Sequence, residues 1–410
     1  MARATQELPL FDAPDDAASL ATVHATGEPT EQSGERDADD GDSTAPPSWK
    51  ESCTNTECTL HQLSPYIGKL KSSIASDIIE RCSKPGDLVV DPFAGSGTIL
   101  LEAALLGRHV FASDISPYAK LLCTAKLKAP QNLEQALALA NSALAQMEEP
   151  RDVEGDAGAE APDWVKQFFH ASTLAEVQKF TRICQQPEHE FLFACLMGIL
   201  HHQRPGFLSY PSSHLTPYLR TKKYPREEFP EMYQRRELKP RLLAKVKRAF
   251  KRRPQVRNGL PLQIHQSSMV NLRLPDEFDC LITSPPYMNA LDYGRDNRLR
   301  LWFIDSQSTM PMENGAEQEK QVFLGAIRHL ADQVEARLRK QGHCVLIVGE
   351  KTQRKMAAHP AEMTMGIFKE RAPSLKLKHV LTDDIPDVRR SRRECRGVKT
   401  EKFLVFQKRG

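Results

Sequence analysis

The chain has 410 residues, of which 40% are apolar, and a formal net charge of +3. This length suffices for one large domain or two, and the apolar fraction is ordinary for a protein with a buried core. The longest apolar run (191–200) is shorter than the roughly 18 residues that a membrane-spanning helix needs, and the N-terminus lacks the apolar region of a signal peptide, so we expect a cytoplasmic protein with no membrane segment.

The charge is split between a short acidic region and a basic remainder. Residues 1–49 hold eleven Asp and Glu against two Arg, a balance of −9, so the rest of the chain carries +12. Because the acidic region is nearly free of aromatic residues and cannot bury enough surface to offset chain entropy, we predict a disordered acidic tail over 1–50. The basic remainder favours an anionic partner such as nucleic acid.

The nine cysteines do not follow a disulfide or zinc spacing. The group formed by Cys53, Cys58 and His61 leaves two interpretations open, a structural metal site or free thiols in a reducing compartment. We favour free thiols, because a zinc site requires two close pairs of ligands.

After the tail, the sequence predicts one β-loop-α-β unit. Its elements are, in order, a helix over 70–82, a strand over 88–90, a glycine loop over 95–97, a helix over 98–106 and a strand over 109–113. The first helix follows from apolar residues at helical spacing, and Gly107 ends the second helix. A unit of this kind is the building block of a mostly parallel, doubly wound α/β sheet.

The later part of the chain predicts an insertion and then the second half of the sheet. The predicted elements are helices over 131–149 and 164–204, a loop at 151–164, strands within 260–268 and 278–287, helices over 297–304 and 315–341, and strands over 342–350 and 401–408. Residues 220–257 hold fifteen Lys and Arg against four Glu, with tyrosines interleaved. We therefore predict a sheet domain in two parts, 51–130 and 259–410, around a helical, basic insertion over 131–258.

The segment DPFAGSGT (91–98) lies between a strand and a helix, which is the context of a ligand-binding glycine turn. Its glycines allow a ligand to approach the backbone, and Asp114, at the end of the next strand, is placed to accept the hydroxyls of a ribose. A glycine turn without a ligand is the alternative. The turn lacks the third glycine of dinucleotide folds and the Gly-Lys-Ser/Thr of a phosphate loop, which favours a nucleoside ligand with few phosphates, such as S-adenosylmethionine.

Two segments resemble motifs of the exocyclic-amino DNA methyltransferases, which modify cytosine N4 or adenine N6. DPFAGSGT is similar to motif I of that family, and SPPY (284–287), which follows the strand DCLIT, is similar to its catalytic motif IV. HQLSPYIGK (61–69) resembles motif X, Asp114 takes the motif II position and Gln266-Ser267 the motif III position. The resemblance covers residues 60–125 and 260–408 and implies the Rossmann-like fold of class I methyltransferases.

The resemblance also implies two groups of site residues. The group that would bind S-adenosylmethionine is Tyr66, Lys69, Asp91, Pro92, Phe93, Gly95, Ser96, Gly97, Thr98, Asp114, Ile115 and Ser267. The catalytic group is Ser284, Pro285, Pro286 and Tyr287. The chemistry that this family performs requires no metal.

The Ser-Pro-Pro-Tyr segment suits methyl transfer to an amino group. The lone pair of an exocyclic amino nitrogen is delocalised into the base ring, and attack on a methyl group requires that pair to be localised. Two acceptors would favour this by binding the N–H groups: Ser284 Oγ, and the Pro285 carbonyl, whose direction Pro286 fixes. Tyr287 offers a flat face to a flipped base. The alternative is a proline-rich loop that only ends a strand.

The target base is predicted from the first position of this tetrapeptide. In the family, serine at that position favours cytosine N4, whereas aspartate or asparagine favours adenine N6. Cytosine C5 methylation is excluded, because it uses a cysteine that follows proline and no cysteine here does so. We expect a site-specific DNA methyltransferase of a restriction–modification system, acting on cytosine N4, with adenine N6 as the alternative.

The basic insertion is where the resemblance places target recognition. The predicted DNA contacts are Lys222, Lys223, Arg235, Arg236, Lys245, Lys247, Arg252, Arg389, Arg390 and Arg392, with a solvated basic surface as the alternative. The implied partners are double-stranded DNA and a restriction endonuclease encoded nearby. An RNA amino-group methyltransferase is disfavoured by the acidic N-terminal tail, and a catalytically silent DNA-binding subunit by the intact glycine and Ser-Pro-Pro-Tyr segments.

Overall fold

A computed structural model gives the fold of most of the chain. The described residues are 43–53, 55–148, 161–214, 216–254, 256, 259–286, 293–306, 316–351, 359–384 and 398–410. The predicted site residues Tyr287, Arg389, Arg390 and Arg392 lie outside these ranges. No helix within the ranges is long and apolar enough to cross a lipid bilayer.

A sheet of eight strands runs through the described part of the chain. The strands are β1 (Ser43–Thr44), β2 (Leu88–Asp91), β3 (His109–Asp114), β4 (Leu262–Gln266), β5 (Phe278–Thr283), β6 (Leu338–Lys351), β7 (Leu375–Asp384) and β8 (Val398–Lys408). Their order is β1-β7-β8-β6-β5-β2-β3-β4. Neighbours pair in parallel except at β8, which runs antiparallel to both β6 and β7. The prediction of a mostly parallel sheet is therefore confirmed.

Helices cover both faces of this sheet. They are α1 (Ser72–Cys82), α2 (Thr98–Leu105), α3 (Pro117–Leu127), α4 (Leu133–Ala145), α5 (Asp163–Lys166), α6 (Ala171–Cys184), α7 (Glu190–Ile199), α8 (Leu238–Ala249), α9 (Tyr293–Ile304), α10 (Ala316–Arg337) and α11 (Pro360–Arg371). The last four residues of β5 are all buried. Because successive side chains of a strand point to opposite faces, this burial requires cover on both sides, as in a doubly wound fold.

Two hydrophobic clusters hold the layers together. One joins α3 and α9 to the helices of the insertion, with Leu122 and Leu242 among its buried residues. The other joins the sheet to α10 and α11, with Leu281 and Phe368 among its members. The described part of the insertion over 131–258 contains α4 to α8, with largely non-helical residues between α7 and α8, and packs into the same compact unit as the sheet.

The boundary between α10 and β6 differs from the prediction. The helical pattern over 315–341 predicts a helix to residue 341, but α10 ends at Arg337 and the strand begins at once. Leu338 pairs with Phe278 of β5, and a Cβ atom at Gly342 would lie 2.7 Å from the Asp279 carbonyl oxygen. Close pairing with β5 therefore overrides the local helical pattern. Helices α3 and α11 and strand β7 are further elements that the sequence did not predict.

The predicted end of the acidic tail at residue 50 is wrong. Residues 43–44 form β1 beside β7, and Trp49 is 1% exposed. The Trp49 ring lies 4.7 Å from that of Phe403, its Nε1 donates to Asp77 Oδ2 at 2.9 Å, and Lys71 Nζ donates to its carbonyl at 2.7 Å. This single tryptophan supplies the buried surface that the composition of the tail lacks, so the folded part includes residues 43–50. Residues 1–42 lie outside the described ranges.

The packing of α7 against the segment before α1 predicts a glycine requirement at residue 198. A Cβ atom at Gly198 would lie 2.1 Å from the Leu63 carbonyl oxygen and 2.9 Å from Lys245 Cε. We expect Gly198→Ala to lower the free energy of unfolding by at least about 2 kcal/mol, because backbone atoms would have to move. Urea denaturation measures the change.

Gly366→Ala on α11 is the matched control, because a Cβ atom there meets nothing within 4 Å. It should raise the stability by up to about 1 kcal/mol, since alanine favours the helix. Equal effects of the two substitutions would contradict the close contact between α7 and Leu63.

Candidate functional site

The candidate site lies where the order of the sheet reverses. Strands β3 and β4 follow β2 in order on one side of it, and the next strand of the chain, β5, pairs with the other side of β2. In open α/β sheets, ligands bind in the crevice outside the carboxyl ends of the strands at such a point. Asp91, Asp114 and Thr283 are the last residues of β2, β3 and β5. The glycine loop and Ser284 follow directly, so the fold brings both motif segments to one edge of the sheet.

The glycine loop is held in shape by Asp114. Gly95 and Gly97 adopt φ values of 50° and 70°, which favour glycine. Asp114 Oδ2 accepts the Gly95 N–H at 2.8 Å, and Oδ1 accepts the Ser116 N–H at 2.9 Å. Burial raises the pKa of the Asp114 carboxyl, and these N–H groups oppose the rise. Each carboxylate oxygen can accept a further hydrogen bond, so Asp114 can anchor the loop and still bind a ligand hydroxyl.

A buried hydrogen bond joins the two motif-bearing strands. Thr283 Oγ1 donates to Asp91 Oδ1 at 2.6 Å, and the Phe93 N–H donates to the same oxygen at 3.2 Å. Asp91 is 2% exposed and Thr283 is fully buried. Burial raises the pKa of Asp91 to about 7, although the Thr283 and Phe93 hydrogen bonds oppose the rise. The ends of β2 and β5 are thereby tied together directly beneath the candidate site.

Ser284, Pro285 and Pro286 emerge from the central strand β5. Ser284 is half-buried, and its Oγ donates to the Ile347 carbonyl of β6 at 3.3 Å. A hydroxyl that donates to a carbonyl can still accept hydrogen bonds at its oxygen. Pro285 is buried and Pro286 is exposed. The contact with β6 therefore gives Ser284 a defined orientation at the carboxyl edge of the sheet.

A group of three aromatic rings lies next to the glycine loop, and one of them, that of Tyr66, contacts the loop. A Cβ atom at Gly95 would lie 3.3 Å from Tyr66 Cε1, so the Tyr66 ring packs on the loop. The Tyr66 ring lies 5.8 Å from Tyr118 and 6.2 Å from Tyr293, the first residue of α9. Burial raises the pKa of Tyr66 well above its usual value, and Asp114 and Tyr293 add to the rise. The predicted cofactor residue Tyr66 thus lies beside the loop, next to other aromatic rings.

The other residues predicted to bind the cofactor lie in three places: beside Asp114, in the glycine loop and its flanks, and in the segment before α1. Ile115 is 55% exposed at the edge, directly after Asp114. Ser267 N–H donates to the Asp114 carbonyl at 3.1 Å, which places it beside Asp114. Within the loop and its flanks, the buried members are Pro92, Ser96 and Thr98, and Phe93 is partly buried. The Lys69 ammonium instead donates to the His61 carbonyl at 2.9 Å and lies 3.7 Å from Glu57.

The predicted DNA contacts are not all on the surface. Lys222, Lys223 and Lys247 are exposed, and Lys223 Nζ lies 5.4 Å from the centroid of the Tyr224 ring. Arg235 is exposed but paired with Glu176 at 2.7 Å. Arg252 is half-buried and donates to the Glu57 carbonyl at 3.3 Å. The exposed lysines therefore remain the stronger candidates for phosphate contacts.

The prediction that Arg236 and Lys245 contact phosphate is wrong. Arg236 is 5% exposed and donates to the carbonyls of Arg204, Phe207 and Met232 at 3.0 to 3.1 Å. Lys245 is 8% exposed and donates to the Gln62 carbonyl at 2.8 Å. Arg236 therefore joins three main-chain carbonyls of the helical layer, and Lys245 joins α8 to the segment before α1.

The sequence did not predict two side chains of α3 that contact the glycine loop, or the pairing of His61 with Glu102. Lys126 Nζ donates to the Ser96 carbonyl, and Cys123 Sγ donates to the Gly95 carbonyl at 3.7 Å. His61 Nε2 lies 2.6 Å from Glu102 Oε1, and burial raises the pKa of Glu102 to about 7. The sequence did contain a signal for Lys126, because it lies on the same helical stripe of α3 as Ala119 and Leu122, which are apolar and buried.

Comparisons with known proteins match the first part of the chain. A family model described as DNA methylase matches residues 31–124, which include β2, the glycine loop, α2 and β3. The type II methyltransferase M.MjaII of Methanocaldococcus jannaschii is 35% identical over 69 residues, which are 17% of this chain and 13% of that protein. The chain thus matches only a small part of the relative's length. These matches support a relationship to the N6/N4 DNA methylases.

Solved structures resemble the chain loosely. TrmN from Thermus thermophilus aligns with a TM-score of 0.33 and 13% identity, over 83% of this chain and 50% of that one. The rRNA methyltransferase aviRa from Streptomyces viridochromogenes aligns with a TM-score of 0.35 and 12% identity, over 88% and 96%. At these TM-scores the likeness supports no functional inference.

The raised pKa of Asp91 predicts a pH-dependent effect of Asp91→Asn. The amide keeps an oxygen for the Thr283 and Phe93 donors but cannot ionise. Because the pKa is about 7 in the folded state and 3.8 ordinarily, the unfolded wild type loses a proton that the folded state keeps between these values. Wild-type stability should therefore fall between about pH 4 and about pH 7 and level off above that range.

We expect the free energy of unfolding of Asp91→Asn, relative to the wild type, to rise by about 2 to 3 kcal/mol between pH 5 and pH 8. Urea denaturation of both proteins at the two pH values measures it. A relative stability that does not change with pH would show that the Asp91 carboxyl ionises normally.

Proposed function

We propose that this chain is an S-adenosylmethionine-dependent DNA methyltransferase that modifies an exocyclic amino group. The observation that carries the proposal is the Thr283–Asp91 bond, which holds the glycine loop and the Ser-Pro-Pro segment at adjacent strand ends. A site of this kind can bind a cofactor on one side and present hydrogen-bond acceptors to an amino group on the other. The DNA methylase family match over 31–124 supports the same assignment.

The residues around the glycine loop suit S-adenosylmethionine. The loop backbone and the first N–H groups of α2 would receive polar groups of the ligand, because a helix N-terminus offers unpaired donors. Asp114 would bind the ribose hydroxyls, and the exposed Ile115 would cover the adenine. The loop has no Gly-Lys-Ser/Thr sequence, which agrees with a ligand without a polyphosphate. Bound S-adenosylmethionine would supply a methyl group on a positively charged sulfur.

The Ser-Pro-Pro segment would orient the nucleophile. Ser284 Oγ and the Pro285 carbonyl would accept the two N–H bonds of the amino group, which localises the nitrogen lone pair. The new N–C bond forms as the C–S bond breaks, and the nitrogen then releases a proton. Because the contact with Ile347 orients the Ser284 hydroxyl before substrate arrives, catalysis rests on preorganised hydrogen bonds. Tyr287, as the partner of the flipped base, stays a prediction.

The proposal also covers the target base and the biological role of the enzyme. Serine at position 284 supports cytosine N4 over adenine N6. The role in a restriction–modification system, with an endonuclease encoded nearby, rests on the resemblance of the motifs and on the type II methyltransferase match. A cytoplasmic location follows from that role.

Double-stranded DNA would contact exposed basic side chains of the insertion, among them Lys222, Lys223 and Lys247. Nearby, the Arg226 guanidinium lies 5.5 Å from the Tyr210 ring and 5.1 Å from the Tyr233 ring. Aromatic rings of this kind hold basic side chains at the surface, where they can pair with phosphates. Arg235, Arg252, Arg389, Arg390 and Arg392 stay predicted contacts.

Ser284→Ala tests the catalytic assignment. We expect the variant to lose about 10²- to 10³-fold in kcat, as when one preorganised hydrogen-bonding group is removed, while its affinity for S-adenosylmethionine changes less than twofold. Transfer of a radiolabelled methyl group to duplex DNA measures the rate, and mass spectrometry of nucleosides distinguishes N4-methylcytosine from N6-methyladenine. Ribosomal RNA as substrate tests the RNA alternative.

Ser83→Ala is the matched control, because the Ser83 hydroxyl also donates to a backbone carbonyl, that of Ile79 at 2.6 Å, but lies before the amino end of β2. It should retain the wild-type rate under conditions in which it is folded. Full activity of Ser284→Ala would refute the role of Ser284.

The double variant Lys222→Gln/Lys223→Gln tests the DNA surface. We expect the slope of log K against log salt to decrease in magnitude by about 1.8, because two phosphate contacts are lost. Fluorescence anisotropy with a labelled duplex measures the slope. The control is Lys340→Gln/Lys369→Gln, which removes two exposed lysines at the start of β6 and the end of α11. Equal slopes in both double variants would contradict the assignment of the surface.

A further inference from the structure

The glycine loop rests on α3 through two consecutive carbonyl groups. Cys123 Sγ donates to the Gly95 carbonyl at 3.7 Å, and Lys126 Nζ donates to the Ser96 carbonyl. Cys123 and Lys126 are three residues apart, so both side chains leave α3 on the same face. The helix therefore holds the inner side of the loop, opposite the side that faces the candidate ligand site.

Lys126 occupies an unusual position for a lysine. Its residue is 2% exposed, and lysine is almost never fully buried unless it is paired. Burial lowers its pKa to about 7; the nearby Lys69 acts in the same direction, and Cys123 and Glu57 oppose it. A buried cation is costly. The hydrogen bond from Lys126 to the Ser96 carbonyl of the loop is the contact that accounts for the burial of this cation.

The contact determines which way the loop N–H groups point. In a trans peptide the C=O and N–H groups point in opposite directions. Because the Gly95 carbonyl points to α3, the Ser96 N–H points away from α3, toward the open side of the loop. Lys126 holds the Ser96 carbonyl, so the N–H of the same peptide, that of Gly97, points the opposite way. There it donates to the Ala94 carbonyl at 2.8 Å. This turn leads directly into the N-terminus of α2.

We infer that Lys126 is a positioning residue for the cofactor, whose buried side chain holds the glycine loop in the shape that accepts S-adenosylmethionine. The inference rests on the proposed function. Lys126 contacts the main chain of the loop, so it acts on the whole adenosyl ligand and has no influence on the transferred methyl group. Binding of S-adenosylmethionine and of S-adenosylhomocysteine should therefore depend on Lys126 to the same extent.

Lys126→Met tests this role, because methionine has a similar length and removes the donor. We expect the Kd of both ligands, measured by isothermal titration calorimetry, to rise by about tenfold, the usual effect of losing a hydrogen bond from a charged donor. In DNA methylation assays, KM for S-adenosylmethionine should rise by the same factor, with kcat within about twofold of the wild type. If Lys126→Met does not fold, Lys126→Gln, which keeps a neutral donor, is measured by the same criteria.

Lys408→Met is the matched control. Lys408 is half-buried and also donates to backbone carbonyls, those of Glu335 and Leu338, but these lie at the junction of α10 and β6, at the amino end of that strand and away from the loop. Its ligand affinity should stay within twofold of the wild type. Unchanged affinity in a folded Lys126 variant, or an equal loss in Lys408→Met, would overturn the inference. Wild-type protein that binds neither ligand would overturn the proposed function itself, which is a distinct result.

Discussion

The hydrogen bond from Thr283 to Asp91 is the constraint on which the arrangement of the site depends. It joins residues 192 positions apart in the chain, at the last residues of β5 and β2. The ladder between the two strands pairs Val89 with Cys280 and Val90 with Leu281, and the bond extends this contact to the strand ends. The glycine segment begins at Asp91 and the Ser-Pro-Pro segment begins one residue after Thr283. Neither segment can therefore shift along the sheet without breaking this buried hydrogen bond. The raised pKa of Asp91 reflects the cost of placing a carboxyl group there.

Polar groups beneath the loop form a second level of support. Lys126 holds the Ser96 carbonyl, and Glu102, from the helix that follows the loop, pairs with His61 at 2.6 Å. Ser76 of α1 donates to the other Glu102 oxygen at 3.3 Å. These contacts join the glycine loop to α3, and they join α2 to α1 and to the segment before it. A loop that is proposed to bind a ligand gains rigidity from such a base.

The helical insertion is connected to the same centre through α9. Thr216 of the insertion donates to Asp296 at 2.7 Å, near the start of α9. Further along this helix, the Arg300 guanidinium lies 5.7 Å from the Tyr118 ring, which in turn lies 5.8 Å from the Tyr66 ring on the glycine loop. The part of the chain proposed to contact DNA is therefore linked to the proposed cofactor site by a short series of direct contacts.

The sequence by itself determined the central strands, the glycine turn and the Ser-Pro-Pro segment, because each depends on residues that are neighbours in the chain. Only the tertiary structure decided which charged residues are buried. Arg236 and Lys245 belong to the same basic stretch as Lys222, yet the first two are buried and donate to carbonyls of other segments, whereas the third is exposed. The positions of Thr283 and Lys126 were decided in the same way. Burial depends on which distant segments pack together, and a local pattern of residues does not contain that information.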